Sequence, residues 1–428
     1  MRRPENRRVV VVGCEVSTAL GHGLEKTFSR AKNSESGIDW LSRFDAGSYG
    51  VKVAGEIPDF DPLAYEFLTE RELHFWHAGF IPITMALSSD LVKKTGLIID
   101  EENAYRVGGL VGSAMNGNDA FQQNLEALRS GSPLKVSPFC LPNLCANMPM
   151  GKASMLLGFK GPNMSPATAC ATGNHCIAEA AKIIQRGDAD VMFAGGVEFP
   201  LMPVIYYGFG NMRALIVTRE TDRSFDNPAA ASRPYSKDRK GFVLAEGAGL
   251  LLLASLEYAS THDLPILAEI LGVHMNSDAH HYTNPNQEAI AACAEGALRD
   301  AEMAPNDVQY INGHGTSTKV GDETEIACLS AVFGSYLKNI PISSNKSQLG
   351  HSLAASAAIE AALTVKGMQE GIILPTLHYD PDPKFAELDL DVVPDTPRKA
   401  DIDVALSNSF GFGGTNCCIV FKRWIKQI

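Results

Sequence analysis

The stretch TACATGNHCIAEAAKII, Thr168 to Ile184, holds two cysteines, Cys170 and Cys176, and a histidine, His175. A thiol at a helix start can act as a nucleophile, because unpaired backbone N–H groups and the positive end of the dipole favour its thiolate there. Cys170 fits that position. Thr168 precedes it, Ile177, Ala181 and Ile184 recur at helical spacing, and Gly187 suits a C-cap. The competing reading, a small buried and inert thiol, is the commoner fate of a free cysteine and suits Cys176 better. His175 serves neither thiol. Adjacent helical residues diverge by about 100°, and a five-residue offset from Cys170 also leaves the face. A partner for Cys170 has to come from elsewhere in the chain.

Two glycine-flanked turns offer one. VQYINGHGTST puts His314 just past a predicted strand, between Gly313 and Gly315, which leave room for a substrate to approach the backbone. ISSNKSQLGH puts Lys346 and His351 past another strand end, at a helix start. Each histidine alone could be a loop residue bonded to a carbonyl. Strand ends that feed helix starts are nevertheless where α/β folds place catalytic groups. NSFGFGGTN, Asn408 to Asn416, reads either as a tight turn between two strands or as a backbone N–H donor aimed at an oxyanion.

The elements that must carry these groups alternate along the chain. Strands are predicted at residues 8–12, 108–111, 191–194, 249–253, 267–271, 308–311, 340–343, 404–407 and 418–421. Helices are predicted at 177–185, 288–301, 322–332 and from His351 to about 368. That alternation predicts an α/β fold with buried sheets. The two halves echo each other faintly: a strand leads to GSAMNG in one and to NGHGTST in the other. We place their boundary near residues 264–268, giving an N-terminal half over 1–265 with the cysteine and a C-terminal half over 266–428 with the histidines, the lysine and the glycine-rich loop.

The totals narrow the class. The 428 residues carry a net charge of −12, which argues against nucleic acid as a partner. Nine scattered cysteines without a CxxC pair suit a reducing compartment rather than a disulfide framework or a metal ribbon. The four-valine run in MRRPENRRVVVVG is too short for a signal-peptide core, and the LLLL run within residues 250–254 is far short of a membrane span. These features predict a cytoplasmic protein, or one in an organellar matrix or stroma after loss of a transit peptide.

Taken together, TACATG, GHGTST, NKSQLGH and NSFGFGGTN resemble, in order and separation, the elongating β-ketoacyl-acyl carrier protein synthases, type II most closely. GDADVMFAGGVE, KVSPFCLPN and ASRPYSKDRKGFVLAEGAG match too, so the resemblance covers nearly the whole chain. It implies a thiolase-like fold of two pseudo-symmetric βαβαβαββ halves in a layered αβαβα arrangement. It implies decarboxylative condensation of an acyl chain, held on Cys170, with malonyl-acyl carrier protein, in fatty-acid or type II polyketide elongation. No cofactor is implied, since the substrates carry the phosphopantetheine arm. The implied partner is acyl carrier protein, and the assembly a homodimer or a heterodimer with a related subunit.

The resemblance also assigns roles. His314 and His351 act on the malonyl thioester, and the N–H groups of Cys170 and Phe412 form the oxyanion hole. Lys346 is electrostatic and architectural, with Glu360 as its salt-bridge partner. Thr316 and Thr318 bond the pantetheine arm, Gly413 and Gly414 bind substrate, Phe412 gates the acyl tunnel, and Met115 limits acyl reach. Lys135 and Arg213 are carrier-protein contacts. The alternatives are a non-catalytic chain-length subunit, which retention of Cys170 and both histidines opposes, and a thiolase-type coenzyme A condensing enzyme, which Lys346 and the histidine pair oppose. Departures from the family pattern are Gly313 for Ala, Ala171 for Ser or Thr, AASAAIE after His351, and Lys240 for Asp. The carrier-docking segment is also unusual, since residues 69–77 hold a single arginine, Arg71. Residues 216–224 look longer than usual and the loop at 280–287 shorter.

Overall fold

The valine run opens a strand with both faces covered. The computed structural model describes residues 7–47, 50, 52–216 and 227–425. In β1 (Val9–Thr18), Val9 and Val11 enter one core while Val10 and Val12 enter another. A strand buried on both sides needs a continuous apolar run instead of alternation. With β2 (Val107–Gly112), β3 (Asn163–Met164), β4 (Val191–Glu198) and β5 (Gly247–Ser255) it forms the first half of a sheet. The spatial order is β3-β2-β4-β5-β1, with β5 antiparallel to both neighbours.

The second half repeats this plan. β6 (Ala268–Ser277), β7 (Tyr310–Asn312), β8 (Ile342–Ser343), β9 (Val404–Gly411) and β10 (Thr415–Arg423) take the order β8-β7-β9-β10-β6. Again the fifth strand of the set, β10, runs antiparallel to its neighbours. The halves join where residues 9–11 of β1 pair antiparallel with residues 268–270 of β6.

Helices build the layers. α1 (Phe80–Thr95) and α2 (Met148–Leu157) cover the outer face of the first half-sheet. α3 (Thr172–Arg186) runs between the half-sheets, while α4 (Gln287–Asp300) and α5 (Lys319–Phe333) cover the outer face of the second. α6 (Ser356–Glu370) joins α3 in the central layer. The sequence of layers is thus α-β-α-β-α, the thiolase-like arrangement. The central core draws Val9, Val11 and Leu253 from one half-sheet and Ala405, Ile419 and Phe421 from the other.

Small residues let the central helices come close. A Cβ at Gly173 would stand 2.6 Å from the backbone nitrogen of Ala358, and one at Gly196 would stand 2.2 Å from the Ala358-helix lead-in at Ala354 O. The alanine-rich AASAAIE run therefore packs backbone against backbone, burying the start of α6.

The entries to α3 and α6 are copies of one device. Ala169 (φ 51°) and Leu353 (φ 44°) adopt left-handed backbone, and each starts a 3-10 turn, Ala169–Ala171 and Leu353–Ala355. The hydroxyl of Thr172 accepts from Thr168 N–H at 2.8 Å, and that of Ser356 from Ser352 N–H at 2.9 Å. Two sequence expectations are corrected here. The second helix begins at Ser356, not at His351. Cys170 lies in the 3-10 turn ahead of α3 rather than in its first turn. Of the segment expected to be long, residues 217–224 lie outside the described residues.

Candidate active site

Cys170 is pinned by the opposite half of the fold. Ser409 Oγ on β9 donates to Cys170 O at 3.0 Å, and Thr415 Oγ1 on β10 donates to Thr168 O at 3.0 Å. Between those strands, Phe412, Gly413 (φ 85°) and Gly414 (φ 72°) make the hairpin turn, so NSFGFGGTN is a tight turn and also reaches the thiol. The Lys346 charge and the backbone N–H groups of Phe412 and of Cys170 itself favour its thiolate.

Burial outweighs them. Cys170 is 8% exposed, and desolvation pushes its pKa up to about 12. The local N–H groups pull towards the thiolate, as a helix start does, and burial, which the local sequence did not reveal, pulls the other way.

His314 follows β7 in a loop held by carboxylates. Glu325 on α5 accepts from His314 N–H at 2.7 Å and from Gly315 N–H at 2.8 Å. Asp322, one turn earlier, accepts from Thr316 N–H at 3.0 Å and from Tyr235 N–H at 2.8 Å. Its pKa is pushed up to about 7, chiefly by burial. His351 is fixed by a bridge to Leu244 and by Ser356. Ser356 Oγ accepts from Ser352 N–H and lies 2.9 Å from His351 Nδ1, which holds the ring in place.

The two imidazoles stand edge to face, centroids 5.6 Å apart, flanked by Phe410 and Phe242. Both are held well below the ordinary histidine range, first by burial and then by the Lys346 charge. They are neutral N–H donors. Lys346 pairs with Glu360 at 2.5 Å, both side chains 2% exposed, and burial pushes Glu360 up to about 7.

Cys170, His314, His351 and Phe412 line one cavity of about 400 Å³, together with Gly414, Thr316, Thr318, Arg213 and Lys240. Thr316 and Thr318 bond each other at 2.9 Å on its wall. The loop after β6 frames the rim: Tyr282 O accepts from Gly413 N–H at 2.9 Å, and Gly414 O accepts from Asp278 N–H at 2.8 Å. Lys346 and Glu360 are not among the lining residues. Nor is Met115, which packs behind Cys170 against Leu201, Tyr206 and Phe209. Lys135 is exposed on a separate turn, Pro133–Lys135, away from the cavity wall. Arg71 lies over the Phe75 ring on the helix Glu70–Phe75, and Glu72 there pairs with Lys152 at 3.1 Å.

Sequence reasoning missed several positioning groups. Glu198, at the end of β4, accepts from Ser113 Oγ and from the N–H groups of Ala114 and Met115 at 2.8 to 3.0 Å, so it holds the Met115 loop. Glu325 and Asp322 clamp the His314 loop. Their signal was the acid pair in GDETE soon after GHGTST, one face of a predicted helix aimed back at its own start. One expectation is overturned. The space beside Gly313 and Gly315 is not open to substrate: the phenol of Tyr235 fills it, and Cβ atoms built there would lie 2.0 and 2.7 Å from its oxygen.

Comparison with known proteins identifies the family. The family described as Beta-ketoacyl synthase, N-terminal domain matches residues 6–259, and its C-terminal domain family matches residues 267–380. The 3-oxoacyl-[acyl-carrier-protein] synthase 2 of Coxiella burnetii is 40% identical over 423 residues, 98% of this chain and 99% of that one. The protein of the same name from Vibrio harveyi is 40% identical over 420 residues, 97% and 99% of the two chains. Among solved structures, a chain of a type II PKS acyl-carrier protein in complex with its ketosynthase bound to the hexaketide superposes with a TM-score of 0.88 at 28% identity, covering 98% of this chain and 100% of that one. A Beta-ketoacyl synthase from Burkholderia phymatum STM815 gives 0.88 at 29% identity, with the same coverage.

Proposed function

The chain belongs to the β-ketoacyl synthase family, and from that premise we propose that Cys170 carries the acyl group while His314 and His351 activate the extender. The protein is an acyltransferase-type ketosynthase, and it performs acyl-carrier-protein-dependent condensation in fatty-acid or polyketide elongation. The observation that supports the residue assignment is the convergence of three chain segments: a thiol under two backbone N–H groups, with two neutral imidazoles on the same cavity wall.

Chemistry follows from the parts. The Cys170 sulfur attacks the carrier thioester, its proton leaves on the displaced pantetheine sulfur, and the acyl chain stays on Cys170. The malonyl thioester then enters, with its carbonyl oxygen accepting from the two histidines. As carbon dioxide departs, the electron pair moves onto that oxygen, and neutral donors in a dry site stabilise the enolate. Its carbon attacks the acyl-Cys170 carbonyl, whose oxyanion meets the N–H groups of Cys170 and Phe412. Collapse expels the thiolate and gives the β-ketoacyl product.

Every electrophile and nucleophile here comes from Cys170 or the substrates, so the reaction as we read it needs no cofactor beyond the substrate's own pantetheine arm. Thr316 and Thr318 suit that arm, Gly413 and Gly414 suit substrate binding, and Phe412 suits a gate over the acyl group. Lys346 and Glu360 act from behind the histidines, Met115 bounds the acyl side, and Lys135 and Arg213 meet the carrier protein. We place the reaction in the cytoplasm or an organellar matrix. No described helix is long and apolar enough to cross a membrane.

Intact-mass analysis after incubation with acyl-loaded carrier proteins tests the assignment. The wild-type protein should gain one acyl group and Cys170→Ala none, while the variant still releases carbon dioxide from malonyl-carrier protein. Acylation of Cys170→Ala would remove Cys170 from the role.

A further inference from the structure

We propose that Tyr235 positions His314, and that its phenol is matched to the missing side chain of Gly313. The inference rests on the reading of His314 as an enolate donor. Tyr235 is fully buried, in left-handed backbone (φ 63°), and its N–H is held by Asp322. Its hydroxyl passes Gly313 to donate to Glu325 Oε2 at 2.9 Å. That same oxygen accepts from Gly315 N–H, and the other oxygen of Glu325 accepts from His314 N–H. One carboxylate thus gathers the phenol and the backbone on both sides of the His314 ring, and the ring's Nδ1 has no hydrogen-bond partner of its own in the structure. The orientation of His314 therefore depends on its backbone, and that backbone depends on Glu325.

The fit is exclusive. A methyl at position 313 would lie 2.0 Å from the Tyr235 oxygen, far inside contact distance, with Glu325 Oε1 also within 3.4 Å. A phenylalanine at 235 would free that volume and would remove one of the three donors to Glu325. Residues 235 and 313 should therefore behave as a size-matched pair: hydroxyl with hydrogen, or hydrogen with methyl.

A double-mutant cycle tests this, with decarboxylation of malonyl-carrier protein and acylation of Cys170 measured separately on the full chain. Tyr235→Phe should lower the decarboxylation rate constant roughly fivefold, the loss of one buried hydrogen bond, with KM and acylation nearly unchanged. Gly313→Ala alone should lower decarboxylation by roughly tenfold or more, or fail to fold, as overpacked sites do. The pair Tyr235→Phe with Gly313→Ala should recover to within roughly threefold of Tyr235→Phe alone. Equal loss of acylation and decarboxylation in Tyr235→Phe, or no loss, overturns the positioning role. Independent effects that multiply in the double variant, or a Gly313→Ala variant as active as wild type, overturn the match. A wild-type protein that condensed no substrate would instead refute the enzyme reading itself.

Discussion

At the scale of single residues, burial decides the protonation states. Cys170 is pushed up to about 12 although two N–H groups and Lys346 pull it down, and both histidines are held below their usual range. The signs give opposite pH limbs. A thiol with a raised pKa reacts faster as pH rises, so Cys170 acylation should still be climbing above pH ~8.5, the ordinary thiol value. Histidines with lowered pKa values are still neutral as pH falls through ~6.5, so malonyl decarboxylation should stay flat across that point. Rates of carbon dioxide release between about pH 5.5 and 8 check the second limb. A drop with its midpoint near 6.5 would mean that at least one imidazole is solvated in the working enzyme.

At the scale of elements, the site is a meeting of ends. The 3-10 turn before α3 brings Cys170, the loop between β7 and α5 brings His314, the segment after β8 brings Lys346 and His351, and the β9–β10 hairpin brings Phe412. The Lys346–Glu360 pair ties the third of these to α6 through two side chains with almost no exposure. Lys346→Met leaves a carboxylate buried without its partner, which costs about 3–5 kcal/mol of stability. Adding Glu360→Gln removes that charge and should return most of the loss in chemical denaturation. The double variant should nonetheless move the acid limb of decarboxylation toward neutral pH, because the Lys346 charge no longer depresses the histidines. Recovery of stability with an unmoved pH limb would reduce the pair to a structural role. Much of this level was legible in advance. Strand ends beside GHGTST, NKSQLGH and GFGGTN pointed to one face of an α/β fold. The left-handed starts at Ala169 and Leu353 were not legible, since neither residue type favours that backbone.

At the scale of the molecule, the two ends of the long sheet differ. β8 is covered, with Ile342 N–H bonded to Asp391 O at 2.7 Å. β3, at the other end, is exposed, with Met164 at 46%; α2, which packs on β3 and on the short helix Cys140–Leu144, exposes Met155 (75%), and that short helix exposes Leu141 (74%). An open strand edge beside apolar side chains is a place where a partner strand can add. Pairing there with a second copy of this chain is a proposal, and solution mass tests it. Light scattering should give twice the chain mass, and Met155→Glu with Leu141→Glu should shift it toward the monomer. Monomeric wild type at micromolar concentration would point instead to a related subunit at that edge.

What the sequence determined by itself was the set of candidate reacting groups, their order and the alternation of elements around them. Those depend on residue type and on periodicities of a few residues, which local chemistry imposes. What only the tertiary structure decided were the desolvation of the candidate groups and the packing of Tyr235 into the place of a side chain at Gly313. Desolvation depends on everything that surrounds a group, and the phenol and the glycine are brought together from separate segments, so neither effect is written in any local stretch of chain.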